Sequence, residues 1–259
     1  MMLKMNESYV RKLIEENSRI DERKFDEFRP ISIETGVIKN AEGSASVKIG
    51  NSHVLVGVKM SVGTPFADVP DEGVLVVNTE LSPVASPDFE PGPPREDSIE
   101  ISRVTDRGIR ESKCIELDKL CIESGEKVWV VNVDIYSLDY DGNLIDAASL
   151  GAIAALMTTE IPKYDAENDK IIYEEKTGKL PLCDMPIAIT VAKINGSLLI
   201  DTNLEEEENL DARITITTNK DGNICSIQKG GDGYLTSEEV LKAADLSILK
   251  GKELRKLIK

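Results

Sequence analysis

Histidine is almost missing from this chain. Among 259 residues there is one, His53, in the apolar run "SHVLVGV". That argues against histidine-based catalysis and against a multi-histidine metal site, and it leaves His53 as a strand or core residue. Cysteine pairs are missing too: Cys114, Cys121, Cys183 and Cys225 are scattered without a C-x-x-C. Neither a zinc knuckle nor a dithiol redox motif is therefore indicated, and reduced, mostly buried thiols are expected. Positive charge is in deficit, with 31 Lys plus Arg against 47 Asp plus Glu and a formal charge of −16. This opposes indiscriminate attraction to nucleic acid or anionic lipid, so any contact with a polyanion must be local. No apolar run reaches the roughly 18 residues of a membrane span, and the charged start "MMLKMNESYVRKLIEENSRIDERKF" has no secretory signal pattern. A soluble, cytoplasmic protein is the expectation. Phosphate-loop, dinucleotide and nucleophile-elbow motifs are also absent, which removes the main support for kinase and hydrolase readings. "GGDGYLTSEE" imitates part of an EF-hand, but Gln228 and Gly230 stand where acidic ligands belong, so calcium is rejected. No metal or cofactor is expected.

What is present is an ordinary globular composition, 41% hydrophobic, sufficient for one large core or two smaller ones. Tyr9, Val10, Leu13 and Ile14 at helical spacing predict a short amphipathic arm, and short alternating runs up to about residue 62 predict a strand meander. A Pro-rich loop follows "GVLVVN". "REDSIEISRVTDRGIRESKCI" reads as a helix with Ile101, Val104, Gly108 and Ile115 on one side and Asp97 or Ser98 as its cap. Trp129, Val131, Val133 and Ile135 alternate along a strand, and the segment after it is apolar nearly all round, hence a buried helix. Residues 161–184 read as a polar connector. Four more strands follow, interrupted by an acidic stretch, Glu205–Glu208, that reads as a solvated loop; a last helix is capped by Thr236 or Ser237. Strands then helices, twice, predict an α+β chain of two similar halves. The expected division is an arm over 1–18, a first domain over 19–165, a connector over 166–184 and a second domain over 185–259.

Two stretches carry chemical interest. Arg103, Arg107 and Arg110 fall at i, i+4 and i+7, on one helix face. Glu100, Asp106 and Glu111 are spaced to neutralise them as surface ion pairs; alternatively, the guanidinium row holds successive phosphates. The spacing alone allows both. The second stretch, "DGNLIDAASLGAIAAL", has the tight turn and small-residue helix start that welcome an anion, yet it holds no Lys or Arg.

Taken together, "SRIDERKFDEFRPI", "GTPFADVPDEGVL", "NTELSPVASPDFEPGPP", "SRVTDRGIRESKCIEL", "GEKVWVVNVDIYSLDYDGNLIDAASLGAIAAL" and "IQKGGDG" resemble the RNase PH-like family, and within it the non-catalytic ring subunits of archaeal exosomes. The resemblance spans nearly all of residues 18–250. It implies an RNase PH-like fold whose first domain is ribosomal protein S5 domain 2-like. It implies an alternating six-membered ring with a catalytic RNase PH-like subunit, three of each, topped by RNA-binding cap subunits. Such rings shorten single-stranded RNA from its 3′ end with inorganic phosphate as nucleophile. In catalytic relatives the turn and helix resemble D-A-G-[ST]-R, whose Gly, hydroxyl and Arg hold phosphate. Here the run is Asp146, Ala147, Ala148, Ser149 and Leu150, so the hydroxyl and helix start are kept and the charge is lost. Asp184 in "LCDMPIA" retains the family acid, a general acid or metal helper in active members, without its acidic neighbours; the other reading is an Asp at a strand start that satisfies nearby backbone N–H groups. The resemblance assigns RNA contacts to Arg103 and Arg107. Arg110 can equally pair with Asp106, and the role of Arg95 stays open. The implied function is a structural, RNA-contacting subunit; the competing readings are a self-sufficient phosphorolytic exoribonuclease and a small-molecule kinase of related β-α-β fold.

Overall fold

In the computed structural model, which describes residues 7–258, the arm is helix α1 (Glu7–Glu15). A meander follows: β1 (Ile31–Thr35), β2 (Gly43–Ile49) and β3 (Ser52–Gly63), then β4 (Val74–Leu81) and α2 (Glu96–Glu111). Next come the short β5 (Cys121–Glu123), the long β6 (Lys127–Asp139) and α3 (Leu144–Met157). β7 (Glu160–Asp165) and β8 (Lys170–Lys179) form a hairpin. The second half comprises β9 (Ile187–Ile194), β10 (Ser197–Ile200), the short α4 (Leu204–Glu207), β11 (Ala212–Thr218), β12 (Ile224–Gly230) and α5 (Ser237–Arg255).

The first sheet runs β1-β2-β3-β6-β4, with β4 parallel to β6 and β5 at the edge of β6. Its alternation is that of a half-buried surface: Val54, Val56, Val58 and Met60 point inward from β3, and Trp129, Val131, Val133 and Ile135 from β6. The second sheet is antiparallel, β10-β9-β11-β12. Helix α3 lies between them, against β2 and β3 on one side and β9 on the other, and every residue from Leu144 to Leu156 is buried. A helix wedged between two sheets has no solvent face, which is the physical reason for its all-round apolar sequence. Helix α5 covers the other face of the second sheet, and its start carries the expected Thr236 cap in a reciprocal box with Glu239.

Several expectations need correction. The segment expected as a connector over 166–184 is largely strand: β8 occupies most of it and pairs with β7, so the expected boundary at 165/166 falls inside a hairpin. The α2 start is not capped by Asp97 or Ser98. Arg95 holds the cap position without a side-chain bond, and the Ser98 hydroxyl instead donates to the Arg95 carbonyl at 2.9 Å. Ile115 lies beyond the helix, in an isolated bridge to Leu182. Of the four thiols only Cys114 is buried; Cys183 is exposed, and Cys121 and Cys225 are half-buried. His53 lies half-buried on β3 with a ring nitrogen 2.8 Å from Ser46 Oγ, the strand position expected of it.

The acidic run is the largest correction. Glu206 is fully buried and holds Arg19, itself 2% exposed, through two bonds of 2.5 and 2.8 Å. Beside this pair, Arg29 reaches Asp201 with Nη2 at 2.7 Å and Nε at 2.9 Å, and its own backbone N–H donates to the same carboxylate. Arg29 also bonds the Asp141 carbonyl, so one guanidinium ties the segment before β1 to the turn before α3 and to the second sheet. That turn comes within reach because Gly142 has φ +80°, and a Cβ there would lie 2.5 Å from the backbone of Asn203.

Candidate functional site

Helix α2 buries Ser98, Ile101, Val104, Thr105, Gly108 and Ile109 and turns Arg103, Arg107 and Arg110 to solvent. Of the three carboxylates spaced to neutralise this row, Glu111 is exposed and forms no ion pair among the described residues, and the other two are taken by single partners. Glu100 receives Arg213 of β11 at 2.5 Å, and Asp106 takes two bonds from Arg110 at 2.7 and 3.1 Å. Arg110 is thereby spent on its own helix, with a further bond to the Leu75 carbonyl, and its bonds to Asp106 raise its pKa. Arg103 and Arg107 form no ion pair among the described residues; Arg107 instead donates to the neutral Oε1 of Gln228 at 3.1 Å. The helix therefore presents two guanidinium groups outside any ion pair among the described residues, one turn apart, on an acidic protein. Arg95 sits apart, in an exposed ion pair with Glu90.

The phosphate-like segment of α3 is differently placed from its sequence reading. The N-terminus of α3 is not open: Asn143, at φ +55°, precedes it, and the Asn143 N–H donates to the Glu207 carboxylate at 2.6 Å. Ser149 lies a turn further in, 7% exposed and 3.4 Å from Thr105 Oγ1. With Thr105, Gly108, Ile109, Ile153, Pro186, Ala188 and Thr217 it lines a cavity of about 10 Å³. That space admits about one water, not a phosphate. No Lys or Arg lines it, and one of its hydroxyls, Thr217 Oγ1, is buried without a partner. Ala148 and Leu150 do not line it; both are core residues, each 1% exposed. Leu150 therefore packs away from the narrow space beside Ser149, which holds no counter-charge for an anion.

Asp184 is half-buried, and one oxygen, Oδ1, accepts from the backbone N–H of Met185 at 2.6 Å and of Lys220 at 2.9 Å. It ties the start of β9 to the β11–β12 turn, the backbone-satisfying arrangement, and it does not line the small cavity. A buried acid that sequence reading gave no role of its own is Asp146. Burial drives its carboxyl pKa up to about 7, against the lowering by bonds from Thr190 and Asn143. The amide of Asn143 bridges Asp146 and Asp201 at 3.1 and 3.0 Å, and Asp146 Oδ1 and Asn143 Oδ1 are left unpartnered. Among the described residues no group of three or more His, Cys, Asp or Glu is arranged to hold a metal.

Sequence reading missed Gln228, Arg213, Arg19 and Asp201. Arg19 and Glu206 are 187 positions apart, and no local pattern announces a pair at that distance. Gln228 stands in "IQKGGDG", a motif that carried resemblance without a role.

Comparison with known proteins agrees with this architecture. Residues 27–162 match the 3′ exoribonuclease family, domain 1, and residues 184–248 match domain 2 of the same family. The chain belongs to this RNase PH family. Among relatives, it is 52% identical over 255 residues to exosome complex component Rrp42 of Methanocella arvoryzae, covering 98% of this chain and 96% of that one. It is likewise 52% identical over 248 residues to exosome complex component Rrp42 of Thermococcus gammatolerans, covering 95% and 91%. Among solved structures, a chain of the Archaeoglobus fulgidus exosome with RNA bound to the active site superposes with a TM-score of 0.91 at 49% identity, covering 98% of this chain and 97% of that one. Rice Rrp46, at 18% identity and a TM-score of 0.70, shares the fold.

Proposed function

We infer that this chain is a non-catalytic ring subunit of an archaeal-type exosome, which contacts RNA and shapes the active site of a catalytic RNase PH-like neighbour during 3′-to-5′ phosphorolysis. The observation that carries the reading is the pairing of a narrow, uncharged space of about 10 Å³ beside Ser149 of α3 with two guanidinium groups on α2 outside any ion pair among the described residues. A phosphorolytic enzyme must hold a phosphate dianion, and nothing lining this cavity supplies counter-charge or room. Arg103 and Arg107 retain what a subunit needs to follow an RNA backbone, which is contacted without reading bases. Arg110, neutralised by Asp106, and Arg95, paired with Glu90, contribute less to that path. The half-buried Asp184 serves the backbone around it.

The assembly we propose alternates three copies of this chain with three of the catalytic homologue, carries RNA-binding cap subunits and works in the cytoplasm. No described helix is long and apolar enough to cross a membrane. The test is phosphate-dependent shortening of labelled RNA by this chain alone, by its catalytic homologue alone and by the mixture, with assembly followed by native mass spectrometry. Activity is expected from the mixture, in a particle containing both chains. Phosphate-dependent nucleoside diphosphate release by this chain alone, lost in Asp184→Ala, would instead make it a self-sufficient exoribonuclease.

A further inference from the structure

We propose that Gln228 is the positioning residue of Arg107, a neutral acceptor that aims the guanidinium toward RNA without cancelling its charge; the proposal rests on Arg107 being a phosphate contact. The geometry begins with Gly108. A Cβ there would lie 3.2 Å from Thr217 Oγ1, so its absence lets α2 settle closely on β11 and reach β12. Gln228 pairs in register with Thr215, two residues from Thr217, and so occupies the face of the second sheet turned to α2. Its Oε1 accepts from Arg107 Nη1 at 3.1 Å while its Nε2 donates to the Lys229 carbonyl at 3.4 Å. Exchanging the amide oxygen and nitrogen would aim two N–H donors at a guanidinium, which is donor-only, so these two bonds define a single orientation.

Helix α2 supplies its own comparison. Arg110, one turn on, is held by a carboxylate, Asp106, which orients it and neutralises it at once. Arg213, packed against the same helix, is likewise held by Glu100. Arg107 alone among these three is held by an amide. One of its five N–H donors is used, and Nε and Nη2 make no other bond among the described residues, leaving the fork that grips phosphate oxygens in pairs. An arginine fixed in advance loses less side-chain freedom when RNA arrives, so the amide improves binding while the charge that releases counterions stays intact. A glutamate at this position would give a stronger partner for Arg107 and a worse contact for RNA.

The experiment measures single-stranded RNA affinity of the ring assembled with the catalytic homologue, across a salt series, for wild type, Gln228→Ala, Gln228→Glu, Arg107→Ala and the Arg107→Ala/Gln228→Ala double variant. Ring integrity is checked by native mass spectrometry. Gln228→Ala is expected to weaken binding several-fold with the salt slope retained, because the guanidinium remains. Gln228→Glu is expected to weaken it and lower the slope by about 0.7, as Arg107→Ala does. The double variant should be no weaker than Arg107→Ala. If Arg107→Ala lowers affinity and slope while Gln228→Ala and Gln228→Glu change neither, or if the double variant loses more than Arg107→Ala, the positioning role is overturned and the Arg107 contact survives. If Arg107→Ala itself changes nothing, the RNA reading of Arg107 fails first and takes this proposal with it.

Discussion

We propose that Leu150 takes the place of the phosphate-holding arginine of catalytic relatives, and its burial decides what introducing an arginine there would do. It belongs to the core cluster and does not line the small cavity beside Ser149. Leu150→Arg therefore places an unpaired charge in a closed apolar site rather than rebuilding an anion pocket. We expect it to destabilise the chain at least as much as Leu150→Ala, which should cost about 2–5 kcal/mol, and to yield no phosphorolysis. Denaturant unfolding of both variants, with a phosphorolysis assay, checks this; a stable, active Leu150→Arg chain would show that the pocket can reopen. Asp146 carries a pH dependence. Its native carboxyl sits at about 7 against an ordinary 3.8, so the native state keeps a proton that the unfolded chain has already released. The stabilisation this gives is whole below about pH 4, falls as pH rises to about 7 and is absent above, a change of at most about 4 kcal/mol. Asp146→Asn mimics the protonated acid, and its amide can supply the donor that Asn143 Oδ1 lacks. The variant should gain on wild type as pH rises from 5 to 8 in urea unfolding; parallel pH curves would place the Asp146 titration elsewhere. Burial raises Glu207 in the same direction, so part of the dependence should persist in the variant.

Helix α2 shows how one element divides its charges between structure and surface. Its buried stripe and the Gly108 contact dock it, Glu100 and Asp106 each take a guanidinium, and Arg103 and Arg107 are left over. Replacing both with Ala removes no buried group and no ion pair, so the fold should be unaffected. The assembled ring, however, should bind RNA more weakly on every sequence tested, with the salt slope reduced by roughly 0.7 per lost contact. Arg110→Ala is the internal control: its charge is already neutralised, so the slope should barely move. Equal slope losses for Arg110→Ala and for Arg107→Ala would mean that the Asp106 pair opens in the complex.

The two halves are joined by α3 as a shared core and by a buried clamp of Arg19 with Glu206 and Arg29 with Asp201. These groups come from the segment before β1 and the stretch after β10, so the clamp forms only when both halves are in place. Bonds to Arg29 and Asn143 hold the Asp201 carboxyl below the usual range despite its burial. Asp201→Ala leaves Arg29 buried without its main partner and should cost about 3–5 kcal/mol. Thermal unfolding read by the single Trp, Trp129 in the first sheet, and by hydrogen exchange of β9 and β11 in the second, should show both halves losing stability together. A loss confined to one half would mean that the clamp serves that half alone.

Much of this was legible in sequence because it is written in short periods. Alternation along β3 and β6, the all-apolar α3, the Thr236 cap and the Arg spacing on α2 are local regularities, and local regularities survive without knowledge of what packs where. What could not be read is whatever depends on a partner far along the chain. Glu205–Glu208 look like solvated acids until Arg19 arrives from 187 residues away to bury Glu206. Glu100 and Asp106 each stand three residues from Arg103, spaced to neutralise it, until Arg213 and Arg110 claim them. Residues 166–184 look like a connector because β8 is mostly exposed and lacks an apolar face, yet hydrogen bonding to β7 needs none. Composition and periodicity specify which faces must be covered; which charges meet, and so which stay outside any ion pair, depends on the closure of two halves around one helix.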